Sequence, residues 1–240
     1  MRSISGIDMR ILELLAKFRF APIEVIRREA LAKQSAETAR AYSIRRLKSL
    51  RECGLIDRET VLGRTAVHYL TESGAAFMGV EGGSGVGVKL AEYRHDLACV
   101  NTYFALRDRG DRGALITERE ARARTIDYED NPYAVPITRP SGKKGIAWPD
   151  MISGDEGALI GYEVEWTPKS RKRLIHLMCG YGYSPHYRIG AYLTTSDSHS
   201  VVSAAAQDAN TILQGRGMGR PILVRPLADI TGQQCEGAAS

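Results

Sequence analysis

The amino-acid sequence predicts two modules in succession: an α+β module of three helices and a β-hairpin, then an α/β module built on a mixed sheet. Three observations carry this. Apolar residues recur at helical spacing in three segments before Gly54, then fall in two short runs around a glycine turn. A glycine-rich stretch, GVEGGSGVGVK, interrupts the chain at 79–89. Beyond it, strand-like and helix-like segments alternate to residue 227. The predicted domains are 1–78 and 92–231, with a linker at 79–91 and a mobile tail at 232–240.

The first helix covers 7–18, where Ile7, Ile11, Leu12, Leu14 and Leu15 share helical spacing. Pro22 opens a second helix running to Leu31, with Ile23, Val25 and Ile26 on its buried side. A third spans Ala36 to Cys53 and stops at Gly54, a residue suited to a left-handed terminator. Two strands, 55–61 and 66–71, follow around the Gly63-Arg64 turn.

That order is the order of a winged helix-turn-helix, whose third helix enters the DNA major groove while the hairpin lies along the backbone. On the third helix, Ala39, Leu47 and Leu50 fall close to Ala36 and form one core stripe. Arg45 lies opposite, with Thr38, Ala41, Tyr42, Lys48 and Ser49 around it and Arg46 at the edge. A guanidinium fork, hydroxyls and an ammonium are the groups that read bases and hold phosphates. Arg58 and Arg64 extend the positive surface onto the wing. Charge points the same way. Residues 1–78 hold 14 Lys and Arg against 9 Asp and Glu, an excess of five, while 79–240 hold 19 of each. Double-stranded DNA is therefore the expected partner, the alternative being a solvated basic face on a protein–protein adaptor.

At 240 residues and 43% hydrophobic content, the chain can bury two small cores, and 25% charged residues exclude wholesale disorder. No run reaches the ~18 apolar residues of a membrane span, and MRSISGIDMRILELLAKF reads as an amphipathic helix rather than a signal peptide. A cytoplasmic protein without a membrane partner is expected. The cysteines at 53, 99, 179 and 235 lack CxxC spacing and the five histidines contain no HExxH, which speaks against structural zinc and for reduced, mostly buried thiols. A carboxylate-bound Mg²⁺ leaves no such trace.

In the second module a helix is expected over 91–108, a strand at 114–117 leading into Glu118, and a polar surface excursion over 127–145. Then come strands at 146–152 and 159–166, a helix from Lys169 to about 179, a strand at 188–194, a helix at 199–214 and a last strand at 222–227. In strand 159–166 the two-residue period puts Glu163 and Glu165 on one face and Tyr162, Val164 and Trp166 on the other. Two carboxylates side by side repel and lose hydration, costs that a divalent cation offsets. Asp150 on a neighbouring strand supplies a third hard oxygen, and Lys169 can steady a developing negative charge. The bland alternative is a half-exposed strand with a Pro-Asp turn before it.

Pro149-Asp150, a gap of twelve residues, then Glu163-x-Glu165 with a nearby lysine resembles the PD-(D/E)XK nuclease core, hence a restriction-endonuclease-like domain. The resemblance implies that Asp150 and Glu163 hold the metal, with Glu165 standing where lysine is usual and Lys169 as its substitute. Some members of that superfamily carry Glu-x-Glu. Glu118 is a candidate extra metal ligand; otherwise it is a helix-start carboxylate. Several segments together resemble the replication-relaxation family of plasmids, phages and integrated elements: RRLKSLRECGLIDR (45–58) with HYLTESG (68–74), RHDLACVNTYFAL (94–106), ITEREAR (116–122), WPDMI (148–152) and YEVEWTPKSRKR (162–173). This implies a winged helix joined to a nuclease-like domain and a role in plasmid replication, DNA relaxation or transfer. Arg171, Lys172 and Arg173 then grip the phosphate backbone, unless they are a solvated helix start. Catalysis would need Mg²⁺ or Mn²⁺. The alternatives are a non-catalytic transcriptional regulator, whose second domain serves dimerisation, and an antitoxin-like or replication adaptor that grips a protein; neither needs a cofactor.

Overall fold

A computed structural model describes residues 4–32, 35–61, 63, 65–80, 88–110, 114–124, 131–138, 142–167, 169–219 and 221–232, with Ala36 described by its backbone alone. Arg64, residues 81–87 of the expected linker and residues 233–240 of the expected tail lie outside this set. The chain is α+β, with nine helices and a mixed five-stranded sheet among the described residues. It forms two compact units, Met1–Leu97 and Ala98–Ser240.

In the first unit, α1 (Gly6–Lys17) opens at a capping box in which Asp8 N–H donates to Ser5 Oγ at 3.3 Å and Ser5 N–H donates back to Asp8 Oδ2 at 2.8 Å. β1 (Ala21–Pro22) leads directly into α2 (Ile23–Ala30). α3 (Ala36–Glu52) is capped by Ser35 and ends at Gly54, whose φ is +71°. Its buried stripe contains Ala39, Leu47 and Leu50, as the spacing predicts, and also Ser43. The serine survives burial because Arg27 Nε donates to its Oγ at 3.1 Å, tying α2 to α3. β2 (Ile56–Val61) and β3 (Thr65–Leu70) pair antiparallel, and β1 adds to the other edge of β3. A two-residue strand has no period to read, so β1 was invisible in the sequence. α4 (Glu72–Met78) starts at Thr71 and ends at Gly79.

α5 (Leu90–Asp108) begins in this unit. Tyr93 stacks on Phe20 with centroids 5.3 Å apart, and Val88 and Leu97 pack against the same cluster with Val61 and Val67. The first unit thus gathers residues from beyond the glycine-rich stretch, because an aromatic ring at position 93 gains burial there.

The second unit contains β4 (Ile116–Thr117), α6 (Glu118–Ala123), β5 (Val135–Thr138), β6 (Lys144–Ala147), β7 (Met151–Ser153), β8 (Leu159–Glu165), α7 (Arg171–Tyr183), β9 (Tyr187–Thr194), α8 (Ser196–Gly215), β10 (Ile222–Pro226) and α9 (Leu227–Thr231). The sheet order is β10-β9-β8-β7-β4. β8, β9 and β10 run parallel, whereas β7 is antiparallel to both β8 and β4. Leu174 and Met178 of α7 and Val202, Ala205, Ala209 and Leu213 of α8 build the core with Tyr181 and Tyr192. Two expectations are corrected. The run 146–152 is two strands in different sheets, broken at Trp148-Pro149-Asp150, since proline has no N–H for a ladder and restricts the residue before it. The described part of 127–145 is not a mere excursion: β5 pairs with β6 and buries Val135.

Candidate functional site

β8 is the strand at which the sheet changes from antiparallel to parallel pairing. Its alternation follows the two-residue period: Tyr162 and Val164 are buried on one face, and Glu163 and Glu165 share the other. On that second face the parallel register sets Gly161 beside Gly190, Glu163 beside Tyr192 and Glu165 beside Thr194. The two glycines leave a gap that the Tyr181 ring fills from α7. A Cβ at 161 would lie 2.5 Å from Tyr181 Cε1, and one at 190 would lie 2.8 Å from Cδ2. From this seat the Tyr181 hydroxyl donates to Glu163 Oε1 at 2.6 Å.

Asp150 stands just before β7. Its Oδ2 accepts from the Val164 amide at 2.7 Å, so the side chain extends the β7–β8 ladder and brings a carboxylate beside Glu163. Its carbonyl accepts from the Glu118 amide at 3.0 Å. Glu165 is 1% exposed, and Lys169 Nζ donates to its Oε1 at 2.5 Å. The Glu165 carbonyl accepts from Ser198 Oγ at 2.6 Å, which fastens the end of β8 to the capping box of α8.

These neighbours set the protonation. Burial and the charge of Asp150 push the Glu163 carboxyl up to about 8, with Glu165 adding to the rise; Lys169 and the Tyr181 hydrogen bond oppose it. Burial alone would lower the Lys169 pKa, but Glu165, Glu163 and Asp150 outweigh it and hold the ammonium charged. The Tyr192 hydroxyl is a further polar group here. Its residue is 1% exposed, it has no hydrogen-bond partner among the described residues, and burial followed by Glu163, Glu165 and Asp150 drives its pKa up.

The structure therefore brings Asp150, Glu163, Glu165 and Lys169 together at the carboxyl end of β8. Glu118 reaches the cluster with its backbone, while its carboxylate faces Arg122 at 2.8 and 2.5 Å, the behaviour of a helix-start acid. Asp150, Glu163 and Glu165 share one ammonium, and the raised Glu163 pKa reflects burial and the negative charge crowded there; an unpartnered buried hydroxyl adds one more oxygen. This donor set fits a hard divalent cation such as Mg²⁺ or Mn²⁺ held by Asp150 and Glu163.

Among the basic residues, Thr38, Arg45 and Lys48 are exposed along α3, and the Arg45 guanidinium lies 4.9 Å from the Tyr42 ring centroid. Lys48 has Glu52 at 3.9 Å. Arg46 turns the other way: Nε donates to Asp8 Oδ1 at 2.7 Å and Nη2 pairs with Asp8 Oδ2 and Ser5. It joins α3 to α1 instead of facing solvent. Arg58 is exposed on β2. Arg171 donates to Asp208 at 2.8 Å, while Lys172 and Arg173 are exposed in the first turn of α7. Ile44, on the outer side of α3, is 53% exposed although its apolar side chain predicts burial. Tyr181 and Tyr192 were also missed; the signal was there in Gly161 and Gly190, since an interior strand glycine marks a close approach. Comparison with protein-family models and with curated proteins finds no match to the chain.

Proposed function

We propose that the chain is a double-stranded DNA-binding protein that hydrolyses a phosphodiester bond with Mg²⁺ or Mn²⁺, serving replication, relaxation or transfer of a mobile element. The observation that carries this is the convergence of Asp150, just before β7, with Glu163 and Glu165 of β8 and Lys169, just before α7. In this reading residues 1–78 are a winged helix-turn-helix that selects the duplex through Thr38, Tyr42, Arg45 and Lys48, with Arg58 on the wing. Residues 92–231 are a PD-(D/E)XK-type nuclease-like domain.

Asp150 and Glu163 would hold the cation, which supplies charge neutralisation and a more acidic water when bound. Asp150 is fixed for this by the Val164 amide. Lys169 keeps its proton beside Glu165 and offers an ammonium to the negative charge that grows on phosphate. Lys172 and Arg173, in the adjacent helical turn, hold the flanking phosphates.

The test is nicking of supercoiled DNA by the full chain and by an Asp150→Ala/Glu163→Ala variant in Mg²⁺, Mn²⁺ or EDTA, with a gel shift read on the same samples. Metal-dependent nicking that the variant loses is the expected outcome. A second reading, a non-catalytic regulator whose second domain serves dimerisation or partner binding, draws on the ion pair that already neutralises Lys169. It expects shifted but uncut DNA under every condition, from wild type and variant alike.

A further inference from the structure

Tyr181 is packed as a core residue. Its ring meets Tyr187 edge-on at 5.2 Å and Tyr192 at 6.2 Å, and it lies over Gly161 and Gly190. A phenylalanine would fill that space equally well. The hydroxyl is what needs explaining, because burying a phenol is unfavourable unless it is hydrogen-bonded. Here it donates to Glu163 Oε1 at 2.6 Å.

We propose that Tyr181 is the positioning residue for Glu163, and that Gly161 and Gly190 are glycines so that its ring can lie flat enough on the sheet to reach it. The inference rests on the reading of the acidic cluster as a divalent-metal site. Glu163 extends from β8 as a chain with rotatable bonds, and a carboxylate free to rotate is a poor ligand until it is fixed. The Tyr181 hydrogen bond engages Oε1 and so fixes the rotation of the carboxylate, leaving Oε2 for a cation. The sheet does not do this: along β8 the residues flanking Glu163 on its face are Gly161 and Glu165, and the hydroxyl of Tyr192 beside it on β9 makes no hydrogen bond among the described residues. The support has to come from a helix, and a Cβ at either glycine would meet the ring at 2.5–2.8 Å and lift it away.

The connection after β8 thereby serves both acids. Lys169, just before α7, holds Glu165, and Tyr181, near the end of α7, holds Glu163. A shift of α7 along the sheet would loosen both at once.

The test is Mn²⁺ titration of the full chain, followed by the electron paramagnetic resonance of free Mn²⁺, for wild type and Tyr181→Phe. The variant keeps the ring in its seat and removes only the hydroxyl. Mn²⁺ affinity is expected to fall roughly 10–100-fold, the usual effect of losing a hydrogen bond behind a metal ligand. Thermal unfolding in EDTA should stay near the wild-type value, so that the loss is specific to the metal. Equal Mn²⁺ affinity in the two proteins overturns the inference and leaves the metal reading intact. Wild type that binds no Mn²⁺ overturns both. Should Tyr181→Phe fail to fold, Gly190→Ala, which keeps the phenol and crowds its seat, reads the same quantity: weakened Mn²⁺ binding supports the inference and unchanged binding overturns it.

Discussion

His68 lies on β3 opposite Arg58, buried, with no hydrogen-bond partner for Nδ1 among the described residues. Burial, then the charges of Arg51 and Arg58, lower its pKa from 6.5 to about 4, against a smaller opposing effect of Asp57. The unfolded imidazole takes up its proton near 6.5, while the folded one resists until about 4. Between those values the unfolded imidazole binds more protons, so the His68 contribution to stability is full above 6.5 and falls as the pH drops. Glu163, pushed up to about 8, contributes in the opposite direction over much of the same range. The His68 part is therefore read as the difference in urea stability between wild type and His68→Phe, which should change by on the order of 3 kcal/mol across this window. Parallel pH profiles of the two proteins would contradict this account. Residue-scale features were unevenly legible. The shared face of Glu163 and Glu165 follows from strand period alone. The inward turn of Arg46 does not, because a residue at the edge of a helix face can rotate either way, and only Asp8 on α1 decides it.

Between elements, that same Arg46–Asp8 pair is the polar tie of α3 to α1, with Asp8 only 1% exposed. Removing one partner strands a buried charge, so Arg46→Ala should cost about 3 kcal/mol. Asp8→Asn/Arg46→Met should be more stable than either single change, because no charge is then left unpaired; a denaturant double-mutant cycle measures both. α4 makes the opposite case to ordinary helix propensity. Gly74→Ala gains about 1 kcal/mol in an unobstructed helix, but here a Cβ would lie 1.8 Å from the Leu55 carbonyl oxygen. A net loss of about 2 kcal/mol is expected from overpacking, readable as a lower urea midpoint. The longer helices were legible because their apolar spacing repeats over several turns; α4 and α9, of seven and five residues, offer too few turns and were not. The break between β6 and β7 needed knowledge of pairing partners, which Pro149 hinted at and only the fold supplies.

Across the whole chain, the positive excess belongs to residues 1–78 and the rest balances. In the proposed duplex complex, phosphate contacts are made by Arg45 and Lys48, and each contact releases about one counterion. Alanine at either position should lower the slope of log affinity against log salt by about 1, measured by anisotropy between low and moderate NaCl. Unchanged slopes would place the contacts elsewhere. This distribution of charge was plain in the sequence, as was the two-module order; the way β8 borders both an antiparallel and a parallel neighbour was not, since pairing direction is decided by crossovers rather than by local pattern.

Among the described residues, the five-stranded sheet ends in β10 on one side and in β4, two residues long, on the other. β10 closes with Arg225-Pro226, a charge followed by a residue with no amide to donate. Both margins are poor templates for a passing strand, one too short and the other capped. A sheet bounded in this way resists fibrillar growth, so protein concentrated for metal and DNA titrations should fail by losing its core before its edges zip together.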